Sequence, residues 1–335
     1  MSGEAPVARV RAAVAAALPD WYGREARLTS WDGPEPHSWS HQFAAVVETA
    51  SGRKHLVVKV PRWEEAPTLE AALAAGPQES TRREHATLVA LAAAVAAAGD
   101  PGLAAVVPVA YLPEANAVVT ERLEAASLRT HLPSWPGAER RQAEVLRRAG
   151  RALRLYHDRV ASAVAGQLDG AALAVEVEAA AAAGLTRRAA LLTLAEEACR
   201  RHGSAAIVGD SHGDFNLANV LVTADGRAAV LDPNLVPGPL LADTAKLLTD
   251  LRMRRARSLA FGLLGRRGLQ AAEAAFLEGY GPADAGLLGF LRRVATVRRG
   301  REMAARLAAG PVLIRGLALA VLRRYVAVEL ARLGR

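Results

Sequence analysis

The stretch that most limits what this chain can become runs from Val208 to Asp232, VGDSHGDFNLANVLVTADGRAAVLD. The polar cluster His212-Gly213-Asp214 is followed by an apolar run, Val220 to Val222, and an Asp225-Gly226 turn; a second apolar run, Ala228 to Leu231, stops at Asp232. Asp-Gly between two β-prone runs signals a hairpin with a two-residue loop. Such a loop pairs Ala224 with Arg227, and counting outward sets Asn219 opposite Asp232. Directly opposed residues hold their Cβ atoms roughly 5 Å apart on one face. An amide oxygen and a carboxylate at that separation are able to share one hard cation such as Mg2+, which fills its octahedron with water and phosphate oxygens. Asp214, just upstream, is expected to face the same space.

A carboxylate in a loop, an Asn five residues on and an Asp closing the next strand give the spacing a phosphotransferase needs. The first accepts the proton of an attacking hydroxyl, and the other two hold the metal that neutralises charge on the transferring phosphoryl group. His212-Gly213-Asp214 with Asn219 resembles the H-G-D-x-x-x-x-N catalytic loop of the aminoglycoside phosphotransferase and choline kinase-like families, relatives of the protein kinases. Asp232 falls where those families carry a metal-binding aspartate, while Pro233-Asn234 departs from the aromatic residue and Gly, Asp or Glu that usually follow. The resemblance implies Asp214 as general base and Asn219 and Asp232 as Mg2+ ligands. His212 is implied as an orienter of the loop. Leu241 to Leu248 is similar to the D-L-A helix start of the family, with Asp243 placed to N-cap that helix and support the loop.

Upstream, Arg27 to Val60 reads as strands. Phe43 to Glu48 and His55 to Val60 flank a Ser51-Gly52-Arg53 loop. In a lobe of the resembled type the preceding turn, His37 to His41, covers the nucleotide phosphates; it holds no glycine, so Ser38 and Ser40 are left as its hydroxyl donors. In Leu56 to Val60 the alternation sets Lys59 with Val57 and against Leu56, Val58 and Val60. The resemblance makes Lys59 the strand lysine that contacts phosphate. A helix from Thr81 to Ala98 aligns Glu84, Leu88 and Leu91 on one inward stripe, where a lone carboxylate is costly, so Glu84 is the expected partner of Lys59. Strands Val106 to Tyr111 and Ala117 to Glu121 follow, and the pattern turns helical after Glu121-Arg122-Leu123. Glu121 and Leu123 are the hinge residues expected to offer backbone groups to a nucleotide base, with Val46 and Leu221 as the apolar slot around the ring.

At the N-terminus, Pro6 to Leu18 reads as a short helix ended by Pro19-Asp20. Leu146, Ala149, Leu153 and Tyr156 mark a central helix between Ala138 and His157, and Gly166 to Ala206 is alanine-rich and assigned to acceptor recognition. Cys199, the single cysteine of 335 residues, excludes an internal disulfide framework and is given no role. A net charge of +8 raises nucleic acid or acidic membrane as partners. Aromatics at 4% without basic-aromatic interleaving argue against nucleic acid. The Val312 to Leu333 helix, with Gly316 and no clean basic face, argues against an interfacial membrane role.

The expectation is therefore an α+β, bilobal, protein-kinase-like fold: a small antiparallel-sheet N-lobe over residues 1–122 that binds nucleotide, and a larger helical C-lobe over 123–335 that carries catalysis and the acceptor. The implied reaction is Mg2+-dependent transfer of the terminal phosphoryl group of ATP or GTP to a hydroxyl of a small molecule, in the cytoplasm. Its competitors are a catalytically silent kinase-like nucleotide-binding module and a basic helical protein docking on RNA or anionic lipid. The positive balance favours a neutral or anionic acceptor over an aminoglycoside.

Overall fold

The structure is a computed structural model that describes residues 4–37, 39–132, 139–166, 200, 206–256, 266–308 and 312–332. The chain divides into two compact units, Met1–Ala125 and Ala126–Arg335. Ser38, Cys199 and nearly all of the alanine-rich acceptor segment lie outside the described residues.

The first unit is built on a five-stranded antiparallel sheet, in the order β1-β2-β3-β5-β4, from β1 (Arg27–Pro36), β2 (Ser40–Thr49), β3 (Gly52–Pro61), β4 (Pro108–Leu112) and β5 (Ala117–Glu121). Alternation decides its two faces. Phe43, Ala45 and Val47 of β2, Leu56, Val58 and Val60 of β3 and Ala117 and Val119 of β5 are buried together with Val10, Val14 and Leu18 of the first helix. Each phenylalanine, leucine or valine among them contributes about 1.5–3 kcal/mol over its exposed state. The register puts Gln42 opposite Lys59, Ala44 opposite Val57 and Val46 opposite His55, and then Lys59 opposite Val118 and Val57 opposite Thr120. Opposed residues share a face, so Lys59, Val57 and Val46 stand together on the side away from that core.

Three local expectations change. The first helix runs Glu4–Tyr22 with Pro19 inside it, because a proline this near the end forfeits a single helical bond and Gly23 N–H still closes on the Pro19 carbonyl at 3.0 Å. The β2–β3 loop is Ala50-Ser51, with Gly52 already paired to Thr49. Ser40, expected within the turn that ends at His41, is already the first residue of β2 and pairs with Pro61.

In the second unit the helices Glu139–Arg159 and Arg266–Tyr280 cross at two glycines. A Cβ on Gly150 would sit 2.2 Å from the Phe276 carbonyl oxygen, and one on Gly279 would sit 2.0 Å from that of Arg147. Leu146, Ala149, Leu153 and Tyr156 are fully buried at 0% exposure, as the apolar repeat predicts. Helices Leu241–Ala256, Ala285–Ala308 and Val312–Arg332 complete the helical part. Two small sheets carry the site: β10-β9-β6 from β6 (Ala125–Ser127), β9 (Val220–Thr223) and β10 (Ala228–Val230), and β11-β8-β7 from β7 (Val164–Gly166), β8 (Ala206–Ser211) and β11 (Val236–Pro239). Residues 212–219 cross from one sheet to the other, and residues 231–235 cross back.

Candidate active site

The hairpin of β9 and β10 is present with a register other than the expected one. Val222 pairs with Ala228, Leu221 with Ala229 and Val220 with Val230. Thr223 N–H donates to the Arg227 carbonyl at 3.0 Å and Leu231 N–H to the Asn219 carbonyl at 2.9 Å. Asn219 is therefore opposite Leu231, not Asp232, and Ala224 does not pair with Arg227. The loop has three residues because Gly226 takes a left-handed φ of +83°, the third position of the turn-plus-bulge hairpin that an Asp-Gly pair also suits. Thr223 fixes this choice, accepting the Arg227 N–H on its Oγ1 at 2.9 Å and donating to the Asp225 carboxylate. Asp232 is the next residue along, in the left-handed region at φ +56°.

Asp214 and Asn219 meet directly. Asn219 Nδ2 donates to the Asp214 carbonyl at 3.0 Å and to its Oδ2 at 2.9 Å, which turns the amide oxygen of Asn219 away from Asp214. The other carboxylate oxygen, Oδ1, is held at 2.6 Å by Lys246 Nζ, which also donates to the Gly213 carbonyl at 3.0 Å. Asn219 Oδ1 and the Asp232 carboxylate are hard oxygens one residue from direct opposition. Among the described residues no group of three or more His, Cys, Asp or Glu is able to hold a metal. A site of this kind suits Mg2+, which binds through one or two protein oxygens plus substrate phosphates, and does not suit an all-protein cage.

Behind the loop the support is buried. Asp243, 1% exposed, accepts His212 N–H on Oδ2 at 2.7 Å and Gly213 N–H on Oδ1 at 2.9 Å. It sits within the first turn of the Leu241–Ala256 helix, which starts two residues before the expected cap, so its carboxylate serves the loop and not the helix end. His157 donates from Nε2 to Asp243 Oδ2 at 3.1 Å and shares a hydrogen bond between Nδ1 and the Tyr280 hydroxyl at 2.9 Å. His212 donates from Nε2 to the Leu231 carbonyl at 3.0 Å, so its Nδ1 is the acceptor for Asp214 N–H at 3.3 Å. The ring is thus neutral, and burial pushes its pKa below the ordinary histidine value despite the carboxylates nearby. Gly213, at φ +74°, passes so close to Val236 that a Cβ would lie 2.5 Å from its Cγ2. Asp250 accepts Leu217 N–H at 3.2 Å and is met by Arg299 at 3.3 Å.

In the first unit Lys59 Nζ and Glu84 Oε1 meet at 2.8 Å, with side chains 17% and 11% exposed. Val46, half-buried, shares the Lys59 face. Glu121 ends β5 with its carboxylate on Lys54 at 2.9 Å and on the Tyr22 hydroxyl at 3.2 Å. The backbone N–H groups of Glu121 and Arg122 donate to the carbonyls of Val107 and His55. Ser40 is 4% exposed and its Oγ accepts Gln42 Nε2 at 3.3 Å. It is the first residue of β2. Leu221 is half-buried in β9 on the face opposite Val220 and Val222.

Sequence reasoning missed Lys246, Asp250, His157 and Tyr280. Asp243, Lys246 and Asp250 are spaced i, i+3, i+7 on one helix face, a signal that was available. The contacts of His157 span 86 and 123 residues and leave no local trace.

A small sheet unit followed by a larger helical unit with this catalytic loop is a bilobal, protein-kinase-like fold. Residues 34–290, well over half of the chain, match the phosphotransferase enzyme family (APH), and the protein belongs to that family. It is an enzyme of the phosphotransferase class. No curated protein sequence matches it. Among solved structures it is similar to a glucosamine kinase in complex with glucosamine, ADP and inorganic phosphate, at 18% identity and TM-score 0.53 over 95% of this chain and 98% of that one. Choline kinase LicA from Streptococcus pneumoniae follows at 10% identity and TM-score 0.52, over 96% and 99%. The amicoumacin kinase hAmiN, solved with AMP-PNP, Ca2+ and Ami, is similar at 12% identity and TM-score 0.52, over 97% and 96%. Among the described residues no helix is long and apolar enough to cross a membrane.

Proposed function

We propose that the protein moves the terminal phosphoryl group of ATP, or of GTP, to a hydroxyl of a small molecule such as a sugar, an amino alcohol or a natural product, in the cytoplasm. The hydroxyl oxygen attacks the terminal phosphorus, the bond to the bridging oxygen breaks, and the nucleoside diphosphate leaves with that electron pair. Asp214 takes the hydroxyl proton. Asn219 and Asp232 are the residues that would hold Mg2+, which when bound neutralises charge on the transferring group. Lys59, anchored by Glu84, contacts the nucleotide phosphates. Val46 and Leu221 flank the base, with the hinge at Glu121 to Leu123. Residues 1–122 are assigned to nucleotide and 123–335 to catalysis and acceptor.

The observation that carries this reading is the carboxylate of Asp214 oriented by Asn219 at 2.9 Å inside the family's loop. The test is ADP or GDP release with Mg2+ over a panel of sugars, amino alcohols and antibiotics, beside Asp214→Asn. Acceptor-dependent release that vanishes in the variant supports it. Nucleotide binding without turnover on any acceptor supports the silent binding module instead, a reading prompted by the absence of glycine from His37 to His41 and by Pro233-Asn234.

A further inference from the structure

We propose that Lys246 is a positioning and specificity residue that turns the enzyme toward hydroxyl acceptors carrying no positive charge next to the reacting group. The inference rests on the phosphotransferase reading with Asp214 as base. Lys246 Nζ is 2.6 Å from Asp214 Oδ1 and 3.0 Å from the Gly213 carbonyl oxygen, so it is tethered at two points and does not simply drape over the base. Asn219 holds the opposite carboxylate oxygen at 2.9 Å. Between them the plane of the carboxylate is fixed.

An acceptor hydroxyl has to come within about 3 Å of that carboxylate to hand over its proton. With Lys246 2.6 Å from the same group, the atoms flanking the hydroxyl lie within roughly 6 Å of an ammonium. While Asp214 is ionised the two charges largely cancel. As the proton moves, the carboxylate becomes neutral and the lysine does not. The positive field is thus strongest when negative charge is growing on the attacking oxygen, which it stabilises, and when a cationic substituent nearby is disfavoured.

A second cation stands further back, its charge offset by its own carboxylate partners. Arg299, from the Ala285–Ala308 helix, is pinned to Asp250 at 3.3 Å and to Glu302 at 2.6 Å. Burial works against its charge, but these partners and the charge of Asp214 outweigh that effect. The cation that touches the base is therefore Lys246, with the Asp243 carboxylate turned to the loop amides behind it.

The test compares acceptors of matched shape and different charge: choline with 3,3-dimethylbutan-1-ol, glucosamine with glucose, and glycerol with glycerate. At about 6 Å and an effective dielectric of about 40, one unit charge alters selectivity by about tenfold. Lys246→Gln is expected to lower the ratio of kcat/KM for the neutral over the cationic member by about tenfold, and Lys246→Arg to keep it. In the wild-type protein, added salt is expected to raise the cationic member relative to its neutral partner. A ratio that stays within about twofold in Lys246→Gln and is flat with salt overturns the proposal, even where both rates fall together. A wild-type protein that turns over no acceptor of any charge overturns the phosphotransferase reading itself, which is a distinct result.

Discussion

Lys59 and Glu84 meet at 2.8 Å with side chains 17% and 11% exposed, whereas Lys246 and Asp214 meet at 2.6 Å with side chains 31% and 34% exposed. The chemistry is the same and the surroundings are opposite. The first pair joins a strand to a helix, and each partner is there because a lone charge at that depth is costly. The second pair lies where water screens it, and its members have other commitments, to Asn219 and to the Gly213 carbonyl. A dry pair stays locked through a reaction cycle. A half-wet pair is open to an acceptor arriving from solvent, which is the exposure the proposed base requires.

The largest expected effect comes from breaking the wet pair chemically. Asp214→Asn keeps the shape and the contact to Asn219 but removes the proton acceptor, and is expected to lower acceptor-dependent turnover by about 10²–10⁴-fold. Its melting temperature should hardly move. A variant that keeps more than a tenth of the turnover removes Asp214 as base. Next comes the dry pair. Glu84→Ala takes from the Lys59 ammonium its carboxylate partner at 2.8 Å and is expected to destabilise the first unit by up to about 3 kcal/mol. Replacing both residues, Lys59→Met with Glu84→Leu, should recover most of that stability while turnover stays lost. Urea unfolding of the three proteins checks this, and a Glu84→Ala midpoint like that of the wild type would mean the two pairs are alike after all.

How far each pair was legible follows from the range of its signals. Lys59 and Glu84 were readable because a strand alternation and a helical stripe are local patterns, and each independently left a charge in need of a partner. The loop was readable because Asp214, Asn219 and Asp232 fall within one short stretch. The pairing of Asn219 was one residue out because Asp-Gly serves both two- and three-residue loops, and the choice rests on the Thr223 side chain bonding across the turn. The start of β2 at Ser40 was hidden for a similar reason: nothing in His37 to His41 says which serine begins the strand. Tyr280 and His157 support Asp243 over separations that no local pattern encodes, and the Gly150–Gly279 crossing that aligns them shows only in three dimensions.

A smaller effect sharpens the contrast through pH. His212, His41 and His85 all have pKa values pushed down chiefly by burial. Above the unfolded value, about 6.5, both states are neutral and their contribution to stability is complete. As pH falls through 6.5 the unfolded chain takes up protons that the folded one resists, so stability drops by up to about 1.4 kcal/mol per pH unit for each group. Urea midpoints measured from pH 7.5 to 5.5 should fall steadily, and His212→Gln, which keeps a donor for the Leu231 carbonyl, should flatten the slope. An unchanged slope in that variant would mean the ring behind Asp214 is hydrated and the loop less sealed than its bonds indicate.

The smallest expected effect is the one that most directly weighs the wet pair against the dry one. Lys246→Met removes the ammonium and keeps the length of the chain. Because both partners are about a third exposed, water recovers most of what the pair contributed, and the loss of stability should stay below about 1 kcal/mol. The loop itself does not depend on the lysine: the amides of residues 212 and 213 are held by Asp243, and that of Leu217 by Asp250. A urea midpoint that moves by more than about 2 kcal/mol would place Lys246 among the structural ions beside Glu84. A midpoint that stays put while acceptor selectivity shifts would separate the charge the fold needs from the charge the chemistry uses.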